Sequence, residues 1–189
     1  MRIENVILPN GAEIALCFEA DHPAKEFDPM NTLSVLQLRK DGKCPKEFGN
    51  AYDKEAEKIA SKFADDVLKQ FEAIDIIVVP ASESKQFGPF LNAFVNRNVA
   101  TMDADAITKE GHVRAGEGVS YQELLLSYAI DESKWQQWPK PINTCLILDD
   151  IFGRGDTIAA TLEILKQRLT EVKQFVAACP LRIDQSKTR

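Results

Sequence analysis

Cys145-Leu146-Ile147-Leu148-Asp149-Asp150-Ile151-Phe152-Gly153-Arg154-Gly155-Asp156-Thr157 runs directly into Ile158-Ala159-Ala160-Thr161-Leu162-Glu163-Ile164-Leu165. The order is a short apolar run, two adjacent carboxylates, a loop with two glycines, and then helical spacing. An apolar run without alternation suits a strand covered on both faces, and in open α/β sheets ligands collect beyond the carboxyl ends of such strands. Asp149 and Asp150 are therefore expected on a ligand-facing rim. The glycines let the following amides curl around an anion, and the helix beginning near Thr157 turns the positive end of its dipole toward the same point. The stretch reads as a phosphate site beside a carboxylate pair.

Working outward, the same grammar recurs. Ile74-Asp75-Ile76-Ile77-Val78-Val79-Pro80 is a second short, β-branched buried strand, closed by a proline. It delivers Ala81-Ser82-Glu83-Ser84-Lys85, whose hydroxyls, amides and ammonium suit an oxyanion, although an ordinary polar strand-to-helix turn has the same composition. Before it, Ala56, Ile59, Ala60, Phe63, Val67, Leu68 and Phe71 recur at helical spacing. After it, Phe90, Leu91, Phe94 and Val95 mark a helix face, and Asn98 to Met102 is expected to be a strand. Asp103 to Ser120 carries Gly111, Gly116, Gly118, Lys109, His112 and Arg114 with little apolar periodicity, which predicts a long irregular loop, either a lid or a plain surface loop. Val119 to Ile130 reads as one helix opened by a Ser120–Glu123 capping box. Trp135 and Trp138 read as core packing or a partner surface. Phe175 to Cys179 is the last strand, and the polar tail from Asp184 is expected to be loose.

At the other end, Ile3–Leu8 and Glu13–Phe18 flank Pro9-Asn10-Gly11, which predicts a β-hairpin. The proline-bearing run from Ala20 to Asn31 reads as loop, and Leu33, Val35, Leu36 and Leu38 as a short strand or helix. The alternation of strands and helices predicts an α/β fold, a mostly parallel sheet flanked by helices with an N-terminal β-hairpin. All 189 residues fit one domain, with hairpin and loop in 1–32 and the core in 33–183.

Composition narrows the classes. A net charge of -6 disfavours a nucleic-acid surface. There is no apolar run long enough for a bilayer, and no signal-peptide core at the start, so a cytoplasmic protein is expected. The four cysteines show no C-x-x-C spacing and suit a reducing compartment rather than a protein-bound metal. A P-loop nucleotidase would need G-x-x-x-x-G-K-[ST], which does not occur. A receiver domain would carry its acidic pair after its first strand. A purely structural acidic pair is the remaining alternative, and two adjacent carboxylates are costly there unless solvated or bound.

From Cys145 to Thr157 the register resembles the phosphoribosyl pyrophosphate signature of the type I phosphoribosyltransferases: apolar residues, two acids, two apolar residues and a short loop ending Gly-x-Thr. The resemblance implies that Asp149 and Asp150 hold ribose hydroxyls, and that Gly153, Arg154, Gly155, Asp156 and Thr157 surround the 5-phosphate. It also implies that Ser82, Glu83, Ser84 and Lys85 hold pyrophosphate, that Lys109 and Arg114 belong to a flap over it, and that Mg²⁺ arrives with the pyrophosphate. Two positions depart. The family usually has a small or hydroxylated residue where Arg154 stands, and several nucleobase enzymes have an acid where Gly153 stands. The arrangement is most similar to the competence-protein F-like branch, through Arg39-Lys40-Asp41-Gly42, Val78-Val79-Pro80 and Asn92 after Gly-Pro-Phe-Leu, but without paired zinc-ribbon cysteines. The implied activity is transfer of ribose 5-phosphate from phosphoribosyl pyrophosphate to a nitrogen acceptor. The alternative is a non-catalytic relative that senses a ribose phosphate and regulates a partner, and either could act as a homodimer.

Overall fold

The computed structural model describes residues 1–22, 49–71, 73–81, 88–101, 106–111, 119–135 and 141–183. In chain order the elements are β1 (Arg2–Ile7), β2 (Glu13–His22), α1 (Gly49–Gln70), β3 (Ile76–Val78), α2 (Gly88–Val95), β4 (Ile107–Lys109), α3 (Tyr121–Ser127), β5 (Tyr128–Ile130), α4 (Glu132–Trp135), β6 (Thr144–Leu148), β7 (Ile151–Phe152), α5 (Asp156–Arg168) and β8 (Gln174–Ile183).

The main sheet runs β1-β2-β8-β6-β3, with β7 also pairing β8. Strands β2, β8, β6 and β3 are parallel, and β1 alone is antiparallel, folded back by the hairpin. This is the α/β architecture expected from the sequence: a mostly parallel sheet with helices on both faces and a hairpin at its edge. The Asn10-Gly11 turn closes as its residue types dictate. Gly11 takes φ +80, Asn10 Oδ1 accepts from the Ala12 amide at 3.2 Å, and the Leu8 amide donates the closing backbone bond to the Ala12 carbonyl at 2.8 Å.

Alternation along the central strands sorts the core into two layers. Ile76, Val78, Cys145, Ile147, Ala177 and Cys179 face α5 through Ile158, Ala159, Leu162 and Leu165. Their neighbours Ile77, Leu146, Leu148, Val176 and Ala178 face α1 and α2 through Ala60, Phe63, Ala64, Val67, Phe90 and Phe94. Strand β6 is therefore apolar from Cys145 to Leu148 because both faces are covered there. Arg97 ties the two helices of the second layer together. Its guanidinium donates to the Ala93 carbonyl at the end of α2, to Ser61 of α1, and to Asp65 at 2.7 Å.

Four expectations need correction. The loop predicted from Ala20 starts later, because β2 continues to His22 by pairing with β8. The helix predicted for Val119–Ile130 ends at Ser127, and Tyr128–Ile130 is instead strand β5. Its partner β4 lies inside the stretch predicted to be irregular, and the two form a separate antiparallel pair, Ile107 opposite Ile130 and Lys109 opposite Tyr128. Both departures have one cause, because a strand of three residues carries too little alternation to register in sequence. The strand predicted at Asn98–Met102 is reduced, among the described residues, to Thr101 bridging Ile77 in parallel. The predicted element near Leu33–Leu38 lies outside the described residues, as do Trp138 and the polar tail.

The β3–β6 register is fastened by Asp75, whose Oδ2 accepts from the amides of Asn143 at 2.7 Å and Thr144 at 2.9 Å. Asp75→Ala leaves both donors without that acceptor and should cost about 1–3 kcal/mol. Urea denaturation measures it, and an unchanged midpoint would contradict this role for the carboxylate.

Candidate functional site

The carboxylate pair stands where a parallel strand is interrupted. Leu148 pairs with Ala178 and Ile151 with Leu181, so register is kept across the gap, and Asp149 and Asp150 lie opposite Cys179 and Pro180. Pro180 has no N–H to give a ladder. Asp149 still donates its amide to the Ala178 carbonyl at 3.0 Å, and its Oδ1 accepts the Asp150 amide at 2.8 Å. Both acids are half-buried at the rim rather than sunk in the core, the environment that two adjacent negative charges require.

The position of that rim follows from topology. From β3 the chain continues to the Thr101 bridge on one side, whereas from β6 it continues through α5 to β8 on the other. The carboxyl ends of β3 and β6 thus flank a switch point, where an open α/β sheet leaves a crevice. Asp149 and Asp150 follow β6 into it, and Pro80 and Ala81 follow β3.

After β7 the loop turns into α5 at Gly155, which adopts φ +85 and serves as the N-cap without a side chain to cap the helix. A side chain is strained here by the backbone and crowded by its neighbours. A Cβ would lie 3.1 Å from Leu8 Cδ2 and 3.1 Å from the Phe152 ring. The amides of the first turn of α5 therefore have no N-cap side chain to accept from them, and the positive end of the helix dipole lies there. Leu8 belongs to the hairpin turn, and Asn10 of that turn donates to Glu163 of α5 at 3.3 Å, so the hairpin backs this loop.

Around the acids lies a polar layer the sequence did not single out. Tyr128 of β5 packs on the core with its phenol near Asp149 and Thr161, and burial first, then the Asp149 charge, push its pKa above the ordinary value. Thr161, fully buried, donates to the Thr157 carbonyl at 2.8 Å and so joins Tyr128 to the first turn of α5. Cys179 lies in the sheet beneath, its thiol driven well up by burial and further by Asp149 and Asp150. Tyr128 was hidden because its segment reads as helix.

Of the other predicted residues, Arg154 is turned to the protein. Its Nε donates to Asp156 Oδ2 at 2.9 Å and its Nη2 to the Val119 carbonyl at 2.9 Å. Asp156, 8% exposed, spends its carboxylate on that contact. Thr157 is half-buried in the first turn, and a Cβ at position 153 would lie 3.7 Å from Ile183 Cδ1. Lys109 lies on β4 opposite Tyr128, on a strand rather than in an irregular loop. Ser82, Glu83, Ser84, Lys85 and Arg114 lie outside the described residues. Among the described residues no cluster of three or more His, Cys, Asp or Glu could hold a metal by itself. No helix among them is long and apolar enough to cross a membrane.

No family model matches the chain, and no curated protein does. Solved structures similar to it include an adenine phosphoribosyltransferase, at 16% identity and TM-score 0.46, covering 71% of this chain and 72% of that one. A second is adenine phosphoribosyltransferase from Saccharomyces cerevisiae, at 17% identity and TM-score 0.43, covering 71% and 70%. A third is a xanthine-guanine-hypoxanthine phosphoribosyltransferase from Helicobacter pylori, at 14% identity and TM-score 0.42, covering 68% and 82%.

Gly155→Ala should destabilise the fold by about 1–3 kcal/mol, the cost of holding a non-glycine residue in a sparsely populated region. Thermal and urea unfolding test this, and a stability equal to wild type would show that the loop relaxes freely. Burial pushes the Cys17 and Cys145 thiols up to about 12. Together with Cys179 they should resist a thiol reagent at pH 8 until the protein unfolds, as mass spectrometry would show. Because unfolding returns these thiols to ordinary values, their contribution is intact below about pH 9 and is lost as pH rises toward 12. Labelling of the native thiols at the rate of a free cysteine would contradict their burial.

Proposed function

We propose that the protein binds phosphoribosyl pyrophosphate and transfers its ribose 5-phosphate to a nitrogen acceptor, releasing pyrophosphate. One observation carries the reading: the Asp149–Asp150 pair and a first turn of α5 that no side chain caps both follow β6 at the switch point of the sheet. Backbone donors suit a dianion and the carboxylates suit vicinal hydroxyls, the two ends of a ribose 5-phosphate, which supports this reading. In this reading Asp149 and Asp150 orient the ribose and offset positive charge as the anomeric bond loosens. Thr157 and the loop amides hold the phosphate, and Ser82 to Lys85, with Lys109 and Arg114, serve the pyrophosphate. Two adjacent carboxylates fit Mg²⁺ that arrives with the pyrophosphate, since this ion takes one or two protein carboxylates and otherwise phosphates and water. When bound it neutralises charge on the leaving group. We place the protein in the cytoplasm, nearest to the competence-protein F-like branch on the motifs quoted above.

A second reading is favoured by a specific observation. Arg154 is engaged by Asp156 and Val119, and Gly153 has no side chain to serve as a base. The pocket would then sense a ribose phosphate without turning it over, and pass the signal to a protein partner.

Calorimetry with phosphoribosyl pyrophosphate and Mg²⁺, followed by pyrophosphate release over candidate bases, separates these readings. Asp149→Asn with Asp150→Asn should abolish binding with the fold intact by circular dichroism. Binding with turnover supports transfer, and binding without turnover supports sensing. Unchanged affinity in the double variant would remove the ribose contacts.

A further inference from the structure

Arg154 poses an electrostatic puzzle. A guanidinium in a loop built for phosphate is by charge alone a phosphate ligand. Here it is committed in two other directions, to Asp156 on one side and to the Val119 carbonyl on the other, both at 2.9 Å. It stands between Gly153 and Gly155, the two most permissive backbone positions of the loop. Val119 directly precedes Ser120, the N-cap of α3, where the capping box is complete: the Ser120 amide donates to Glu123 Oε2 at 2.8 Å, and the Glu123 amide to Ser120 Oγ at 3.3 Å. A planar fork can hold a carboxylate and a carbonyl at once, which a lysine ammonium on a flexible stem does with far less definition.

We propose that Arg154 is a positioning residue, a two-way clamp that fixes the glycine-flanked loop in its anion-receiving shape by fastening it to Asp156 and to the start of α3. The inference deepens the ribose-phosphate reading of the site and rests on it. It differs from direct contact in the sign of one effect. If Arg154 contacted the anion, deleting the Asp156 carboxylate would free the guanidinium and remove a repelling charge, so affinity would rise. As a clamp, Arg154 needs Asp156, so affinity falls when either is removed.

The test uses ribose 5-phosphate as the probe, with wild type, Arg154→Ala, Arg154→Lys, Asp156→Ala and the Arg154→Ala/Asp156→Ala double variant. Each single alanine variant should weaken binding by roughly 5- to 30-fold, with the double variant no worse than either single, because both break one device. Arg154→Lys should fail to restore affinity. Tighter binding by Asp156→Ala, full rescue by lysine, or additive losses in the double variant would each overturn the clamp. Hydrogen exchange decides the same question without any ligand. Arg154→Ala should lose protection at the Glu123, Leu124 and Ala159 amides, which bond to Ser120 and Gly155, while the Ala177 and Ala178 amides in the central strand keep theirs. Unchanged exchange at all three would overturn the clamp. If wild type does not bind ribose 5-phosphate, the reading of the site falls and exchange alone judges the clamp.

Discussion

Burial of β6 on both faces is the constraint from which the rest follows. A strand with apolar residues toward α5 on one side and toward α1 and α2 on the other can expose polar chemistry only where it ends. Asp149 and Asp150 occupy that end. The chain does not leave the sheet there but resumes as β7 in unchanged register with β8. The acids are thus held by a strand on either side of them, a firmer mounting than a free loop would give. Opposite them, Pro180 offers no amide, so backbone pairing does not compete with the carboxylates at this point.

The features legible in sequence were those with long or doubled signals. Strand β6 and helix α5 declared themselves by apolar continuity followed by helical spacing, and α1 by its recurring apolar face at Ala56, Ala60, Phe63 and Val67. The hairpin was written in Asn10-Gly11, and the start of α3 in Ser120 and Glu123, each a pair of residues whose chemistry requires a particular backbone. The β4–β5 pair was not legible. Its register depends on contacts between Ile107 and Ile130, far apart in the chain, and propensity over three residues is weaker than such tertiary packing.

The candidate site divides in the same way. The glycine-bearing turn and the acidic pair could be read because each is local. Tyr128 and Thr161 could not, because their roles arise only when β5 is laid over α5. Arg154 was legible as a departure but not as a clamp, since its partner carbonyl at Val119 has no side-chain signature in sequence. Backbone acceptors are the part of a site that residue identity conceals.

The contact between Leu8 and the site loop also bears on how the protein is made. Gly155 is buried against Leu8, and β2 reaches β8 with Ala15 beside Val176. A hairpin synthesised before β8 must wait for that strand before its apolar edge is covered. Contacts of such long sequence separation form slowly. The loop that would receive the anion should therefore be among the last regions to acquire its shape, and a nascent chain would carry the hairpin exposed until synthesis has passed β8.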